Sequence, residues 1–272
     1  MSWQAKSAAP PAGYGYGPAY RLTWETIVRG AVYIARGEVR SLARDAAYAL
    51  AAMPRPPLVR GADRVPEEGR FAIVANHYER PGLWMAWPAL ALCHVILERT
   101  GKETHWVAIE EWESFALFGL PIPPALIRRV FQRAFRTYGI IAMPPPTAPM
   151  AARASAMRVT ARRVRDGKIV GIMPEGDVGA TPELLPAREG VGSFLQMLGV
   201  AGARILPVGL FEEDERLVIQ IGDPYRLEVP RGMGRDEADR YARDHVMRTI
   251  RDLLPPPLWG PYVEPSETPG TP

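Results

Sequence analysis

The sequence feature that most constrains the fold is the stretch 71–87, FAIVANHYERPGLWMAW. Its first five residues, 71–75, are apolar and β-prone, which is typical of a buried strand. The strand leads to His77 and a charged turn, and we then predict an apolar helix with Pro81 in its first turn. A histidine at the end of a core strand lies where α/β folds place their chemistry, although it can equally make structural hydrogen bonds there.

Strand and helix patterns alternate along the rest of the chain. Further strands are predicted at 104–109, 139–143, 168–173, 204–211 and 216–221, with helices at 83–99, 150–165, 191–199 and 235–254. This alternation predicts an α/β fold with a central, mostly parallel or mixed sheet flanked by helices. The proline-rich segment 54–70 is predicted as a linker and a turn into the first core strand.

Composition limits the class of protein and its compartment. The chain has 272 residues, a net charge of +3 and a sequence pI of about 9.1, which suits a globular protein that meets anionic surfaces. Its one cysteine, Cys93, excludes an internal disulfide and a cysteine metal cluster, so we expect a cytoplasmic protein without a bound metal. Residues 1–20 and 264–272 are predicted as flexible tails, and the apolar run 83–97 is too short to span a bilayer.

Residues 21–53 carry an amphipathic helical pattern, interrupted by glycines, that indicates one helix or a pair of helices. One arc of this pattern is basic, with Arg29, Arg36, Arg40 and Arg44, and the opposite side is apolar and includes Trp24. An ordinary amphipathic helix would pack its apolar side on the protein body. An interfacial helix would instead insert that side into a membrane surface. The pattern predicts an N-terminal amphipathic segment and leaves both interpretations open.

Four segments, in this order along the chain, resemble the glycerolipid acyltransferase family: LVRGADRVPEEGRFAIVANH, IVGIMPEG, EGVGSFLQMLGVAGARILPVGL and LLPPPLWGPY. That family includes lysophosphatidic acid and glycerol-3-phosphate acyltransferases. The resemblance covers residues 57–262 and implies one acyltransferase-like domain. It further implies transfer of a fatty acyl group from acyl-CoA or acyl carrier protein to an alcohol in phospholipid metabolism. The place of this reaction would be the inner face of the membrane, with no cofactor other than the acyl donor.

The first motif of the family is a histidine followed five residues later by an aspartate. His77 and the preceding Asn76 match this motif, but position 82 is Gly82. The resemblance implies that His77 is a general base on the acceptor hydroxyl, a role in which a carboxylate normally fixes the tautomer of the ring. The candidates for that carboxylate are Glu79, in the same turn, and Asp177, which we favour because the family places the PEG loop beside the histidine.

The predicted acceptor site has less positive charge than the family pattern. The PEG element matches, and the resemblance implies substrate-binding roles for Asn76, Pro174, Glu175, Gly176 and Arg188. Neutral or acidic residues replace the polar and basic groups of the family at Ile109, Pro144, Asp177 and Val178. Because a phosphate needs several positive donors, we predict an acceptor without a phosphate. Arg188 and the arginines within 128–136 are the remaining candidates for holding one.

Two classes of function follow. In the first, the chain is an O-acyltransferase whose partners are a lipid acceptor, an acyl donor and, through residues 21–53, a membrane surface. In the second, it is a non-catalytic lipid-binding or scaffold protein of the same fold, which the missing aspartate favours. We expect no nucleic-acid partner, because the arginines are dispersed and no recognised binding motif accompanies them.

Overall fold

The computed structural model describes residues 20–51, 53, 55–67, 70–110, 116–117, 120–121, 123–179 and 181–263. The segments predicted as flexible tails, 1–19 and 264–272, lie outside the described residues. Tyr20, which was placed at the end of the first tail, is instead buried. Its backbone N–H donates to the carbonyl of Gly82 over 2.7 Å, so the start of the described chain is fastened to the turn that follows His77.

A seven-stranded sheet forms the centre of the described chain. Its strands are β1 Leu58–Arg60, β2 Phe71–Ala75, β3 Thr104–Ile109, β6 Ile141–Met143, β7 Ile169–Ile172, β8 Arg204–Glu213 and β9 Arg216–Ile221. Their order is β1-β9-β8-β2-β7-β3-β6, and every neighbouring pair is parallel except the antiparallel hairpin of β8 and β9. Two very short strands, β4 Ala116–Leu117 and β5 Leu120–Pro121, pair separately. The predicted α/β fold with a mostly parallel sheet is confirmed.

Helices flank this sheet. They are α1 Trp24–Arg36, α2 Leu42–Ala51, α3 Ala86–Thr100, α4 Pro124–Tyr138, α5 Met150–Arg165, α6 Val191–Val200 and α7 Arg235–Arg251. Among the described residues no helix is long and apolar enough to cross a bilayer.

The strand that the sequence placed at the core lies at the middle of the sheet. All five residues of β2 are buried, and β2 pairs in parallel with β7 on one side and with β8 on the other. The carboxyl ends of these strands therefore meet at one edge of the sheet, which is where ligands bind in open α/β folds. His77 follows β2 at this edge, and Glu175 follows β7.

Two local predictions were wrong. Leu58–Arg60 lies in the predicted linker but forms an edge strand, paired with β9 in the register Leu58 to Val218. Pro81 does not start a helix, because it lies in a tight turn in which the Leu83 N–H donates to the Arg80 carbonyl over 2.9 Å. The following helix, α3, begins only at Ala86.

The N-terminal segment is a pair of helices, and the structure shows where the apolar side of α1 lies. Gly37 ends α1 in the left-handed conformation, and α1 contains no buried residue. The apolar side is exposed: Trp24 has an exposed fraction of 76%, and Ile27, Val28 and Val32 are exposed as well. Two arginines of the basic arc turn toward the protein instead, with Arg29 and Arg40 stacked on tyrosine rings at 4.1 and 3.9 Å.

Candidate active site

Asn76 fixes the end of the central strand. Its side-chain amide donates to the carbonyl of Leu210 over 2.9 Å, and its oxygen accepts the N–H of the same residue over 2.8 Å. Because Leu210 belongs to β8, this pair of bonds locks β2 to its neighbour at the point where the chain turns toward His77. These contacts are structural, and a role of Asn76 in binding substrate stays a prediction.

Glu175 connects the two strand ends. One carboxylate oxygen accepts the backbone N–H of His77 over 2.9 Å, and the other accepts the N–H of Leu185 over 3.4 Å. The side chain is buried, and burial raises the pKa of Glu175 to about 8, with the two N–H donors opposing the shift. The expected proximity of His77 and Glu175 is therefore observed. The contacts of Glu175 position the loops, while a bond from Glu175 to an acceptor hydroxyl stays a prediction.

The imidazole of His77 is half-buried and lacks the expected orienting carboxylate. Its Nδ1 atom is buried and has no hydrogen-bond partner among the described residues. Burial lowers the pKa of His77 to about 4, against an opposing effect of the Asp177 charge and with a smaller lowering by Arg188. The ring is therefore neutral near pH 7, as a general base must be before it accepts a proton.

The backbone conformation at position 82 suits a glycine. Gly82 has φ +84° in the turn after Pro81, an arrangement typical of a type II turn. Residues other than glycine are strained at such a positive φ. The turn that carries the family's aspartate position is thus built here for a residue without a side chain.

Glu79 is committed to another task. Its carboxylate accepts the N–H of Met85 over 3.0 Å, at the first turn of α3, and burial raises the pKa of Glu79. A carboxylate there accepts an N–H that has no partner within the helix, and it interacts favourably with the positive end of the helix dipole. The structure therefore places Glu79 at the start of α3 and shows no bond from it to the His77 ring.

Asp177 and Arg188 form an ion pair next to the histidine. The guanidinium Nη2 of Arg188 lies 3.2 Å from a carboxylate oxygen of Asp177, whose side chain is 72% exposed. The stem of Arg188 crosses the glycine of the PEG loop, since a Cβ on Gly176 would lie 2.6 Å from Arg188 Cδ. The backbone N–H of Arg188 donates to the carbonyl of Pro174 over 3.0 Å, so the pair lies on the loop whose Glu175 accepts the His77 N–H. The structure thus brings together His77, Glu175, Asp177 and Arg188.

Sequence reasoning missed a second ion pair, which lies behind the turn. Arg80 donates to Glu212 from Nε over 2.7 Å and from Nη2 over 2.6 Å, and both side chains are almost completely buried. The hydroxyls of Tyr20 and Tyr78 each donate to the same carboxylate over 3.3 Å. Glu212 follows the apolar run of β8 and begins an acidic stretch, so no local signal set it apart as a buried carboxylate that requires a partner.

A comparison with family models identifies residues 57–210 as an acyltransferase domain. The chain belongs to the acyltransferase family. Among solved structures, this acyltransferase is similar to the 1-acyl-sn-glycerophosphate (LPA) acyltransferase PlsC from Thermotoga maritima. That match has 15% sequence identity and a TM-score of 0.48, and it covers 83% of this chain and 89% of that chain. No match to a curated protein was found.

The positions where this acyltransferase departs from its family lie on the same edge of the sheet as His77. Ile109 ends β3 and pairs with Met143 at the end of β6, after which the chain continues into Pro144. Both strands run parallel to β7, so their carboxyl ends point to the site. Neutral residues therefore stand at the ends of β3, which neighbours β7, and of β6, one strand further away.

Proposed function

We propose that this chain transfers a fatty acyl group from acyl-CoA or acyl carrier protein to an alcohol acceptor that carries no phosphate. The observation that carries the proposal is a neutral histidine at the carboxyl edge of the sheet, held at its backbone by Glu175 over 2.9 Å. Membership of the acyltransferase family supplies the class of reaction. The lowered pKa of His77 supports a ring that is neutral at physiological pH and therefore free to accept a proton.

In the proposed reaction His77 accepts the proton of the acceptor hydroxyl while the hydroxyl oxygen attacks the thioester carbonyl carbon. A C–O bond forms, the carbonyl electrons move to oxygen, and their return breaks the C–S bond. The imidazolium then gives its proton to the leaving thiolate. We assign the reacting nitrogen as Nε2 because Nδ1 is buried.

The missing orienting carboxylate has a consequence for rate. When Nε2 acts as the base, Nδ1 carries the proton, and that buried donor has no acceptor among the described residues. An unmet buried donor costs about 1–3 kcal/mol, and a histidine without an orienting carboxylate is a weaker base. We therefore expect slow turnover. Asp177 contributes charge at a distance and does not replace the missing hydrogen bond.

The proposed preference for an uncharged acceptor rests on the pair of Asp177 and Arg188. Arg188 is the cation that acts on His77, and its guanidinium is paired with Asp177 over 3.2 Å. An incoming phosphate would have to displace that carboxylate and would meet its negative charge. Ile109 and Pro144 add no positive donor at the neighbouring strand ends. A hydroxyl without a phosphate meets neither obstacle.

We further propose that the chain attaches to a membrane through residues 21–53. The support is the exposed apolar side of α1, on which Trp24, Ile27, Val28 and Val32 are open to solvent. Contiguous exposed apolar surface on a helix is typical of interfacial attachment. This placement would bring the site to lipid acceptors at the inner face of the membrane.

The direct test is an assay with radiolabelled acyl-CoA and acyl carrier protein against a panel of phosphorylated and neutral alcohol acceptors. We expect acylation of neutral alcohols, with lysophosphatidate and glycerol 3-phosphate as poor acceptors. Efficient turnover of lysophosphatidate would contradict the proposed acceptor class.

The second candidate function is a non-catalytic lipid-binding or scaffold protein. The unpartnered Nδ1 of His77 favours it, because the orienting half of the family's dyad is absent. The same assay separates the two candidates, since the scaffold predicts no turnover with any donor and acceptor.

A further inference from the structure

Helix α4, Pro124–Tyr138, has an unusual charge. It contains no acidic residue and carries four arginines, all exposed: Arg128, Arg129, Arg133 and Arg136. Within the part of the chain that the structure describes, none of them forms an ion pair with a carboxylate. Four exposed cations without acidic partners on one helix attract an anionic surface.

Apolar side chains accompany these arginines. Leu126 and Val130, one turn apart, have exposed fractions of 52% and 47%. Arg133 continues the same side of the helix, seven residues after Leu126, whereas Thr137, one turn further on, is buried. The outward side of α4 therefore joins a cationic surface to an exposed apolar stripe.

This side of α4 adjoins the N-terminal helix pair. The carbonyl of Thr137 accepts the N–H of Arg40, in the α1–α2 connection, over 2.8 Å. Arg133 lies beside Gly37, at the end of α1. A Cβ added to Gly37 would lie 3.2 Å from Nη2 of Arg133. Val39, in the same connection, is 87% exposed. The C-terminal end of α4 thus adjoins the helix pair that we propose as the membrane attachment.

Part of the positive charge of the helix pair is already engaged with other side chains. Arg29 stacks on Tyr48 and pairs with Glu25 over 3.1 Å. Arg40 stacks on a tyrosine and pairs with Asp45 over 2.8 Å. These two arginines cannot face a lipid phosphate without leaving their partners, whereas the four arginines of α4 have no carboxylate partner among the described residues.

We propose that α4 is a second lipid-contacting helix, in which Leu126 and Val130 enter the interface and the arginines bind anionic headgroups. The proposal rests on the membrane attachment through α1 and adds its lipid selectivity. A basic amphipathic helix binds anionic bilayers through apolar burial and through charge, and the attraction weakens with salt.

The test is sedimentation of the full chain with vesicles of pure phosphatidylcholine and with vesicles that contain about one-third phosphatidylglycerol. We expect Arg129→Gln/Arg136→Gln to weaken binding to the anionic vesicles about 30-fold. This follows from about fivefold for each arginine near an anionic surface. Binding to phosphatidylcholine should be unchanged. The matched control is Arg158→Gln/Arg165→Gln, which removes the same charge from exposed positions of α5 and should change binding less than about threefold.

The outcomes separate this inference from the function on which it rests. Equal losses in the two double variants would overturn it, because net charge alone would then explain the effect. Vesicle binding at the wild-type level by the α4 variant would also overturn it. If that variant instead loses binding to acyl carrier protein, the basic surface would be a docking site for the carrier, and the inference would be overturned as well. Acyl transfer by the wild type to a detergent-dispersed neutral acceptor tests the catalytic proposal independently of vesicle binding.

Discussion

Two ion pairs lie near His77, and they differ in their burial and in the further hydrogen bonds that they make. Arg80 and Glu212 are sealed, with side-chain exposures of 1% and 2%, and the tyrosine hydroxyls of Tyr20 and Tyr78 complete their bonds. Asp177 and Arg188 are open, with exposures of 72% and 34%. A sealed pair determines the shape of the turn that carries the histidine, whereas an open pair can be displaced by a ligand. We therefore expect the first pair to matter for stability, and we propose that the second matters for acceptor specificity.

The largest expected loss of stability follows from breaking the sealed pair. Arg80→Met leaves the Glu212 carboxylate buried without its cation, and loss of one partner of such a pair costs about 3–5 kcal/mol. The matched change at the open pair, Arg188→Met, should cost about 1 kcal/mol or less, because exposed pairs contribute little. Urea unfolding measures both. Similar losses in the two variants would show that the pairs do not differ as described.

The next effect concerns Glu175, which is as buried as Glu212 but has no cation partner among the described residues. Because folding raises its pKa from 4.5 to about 8, the protonated form is favoured in the folded state. Its stabilising contribution is complete below pH 4.5 and is lost as the pH rises to 8. Between pH 6.5 and 8 the free energy of unfolding should fall by roughly 2 kcal/mol, at about 1.4 kcal/mol per unit.

Glu175→Gln provides the control, because an amide does not titrate in this range. Its free energy of unfolding should vary less with pH than that of the wild type. The same slope in both proteins would assign the pH dependence to another group.

The smallest expected effect follows from removing one charge of the exposed pair. Asp177→Asn removes the negative charge that occupies Arg188, so a phosphorylated acceptor gains a cationic contact. We expect kcat/KM for lysophosphatidate to rise about tenfold, equivalent to one charge-assisted bond of about 1.5 kcal/mol. Turnover of a neutral alcohol serves as the internal reference. A variant that still rejects lysophosphatidate would show that Asp177 does not control acceptor charge.

The regular core was predictable from sequence because its elements are marked by local composition. The bounds Phe71–Ala75, Thr104–Ile109, Met150–Arg165 and Arg216–Ile221 agree with the predictions. In each case an apolar run or a helical period ends at polar residues, glycine or proline. Leu58–Arg60 could not be found this way, since three half-buried residues in a proline-rich segment become a strand only by pairing with β9.

The candidate site was predictable only in part. Sequence placed His77 and Glu175 at the ends of adjacent strands, since chain order and strand type suffice for that. The pair of Arg80 and Glu212 joins residues 132 positions apart, and no local pattern encodes such a contact. The direction of α1 was also undetermined, because periodicity shows that a helix has an apolar side without showing which side faces the protein.

The central claim is that His77 is the base of an acyl transfer, and the most direct measurement compares the wild type with His77→Ala. The readout is transfer of radiolabelled acyl groups from acyl-CoA or acyl carrier protein to the best neutral acceptor, with melting temperatures measured in parallel. We predict that the variant loses transfer to the background of the uncatalysed reaction and melts within a few degrees of the wild type. Equal transfer by a folded His77→Ala protein would contradict the account.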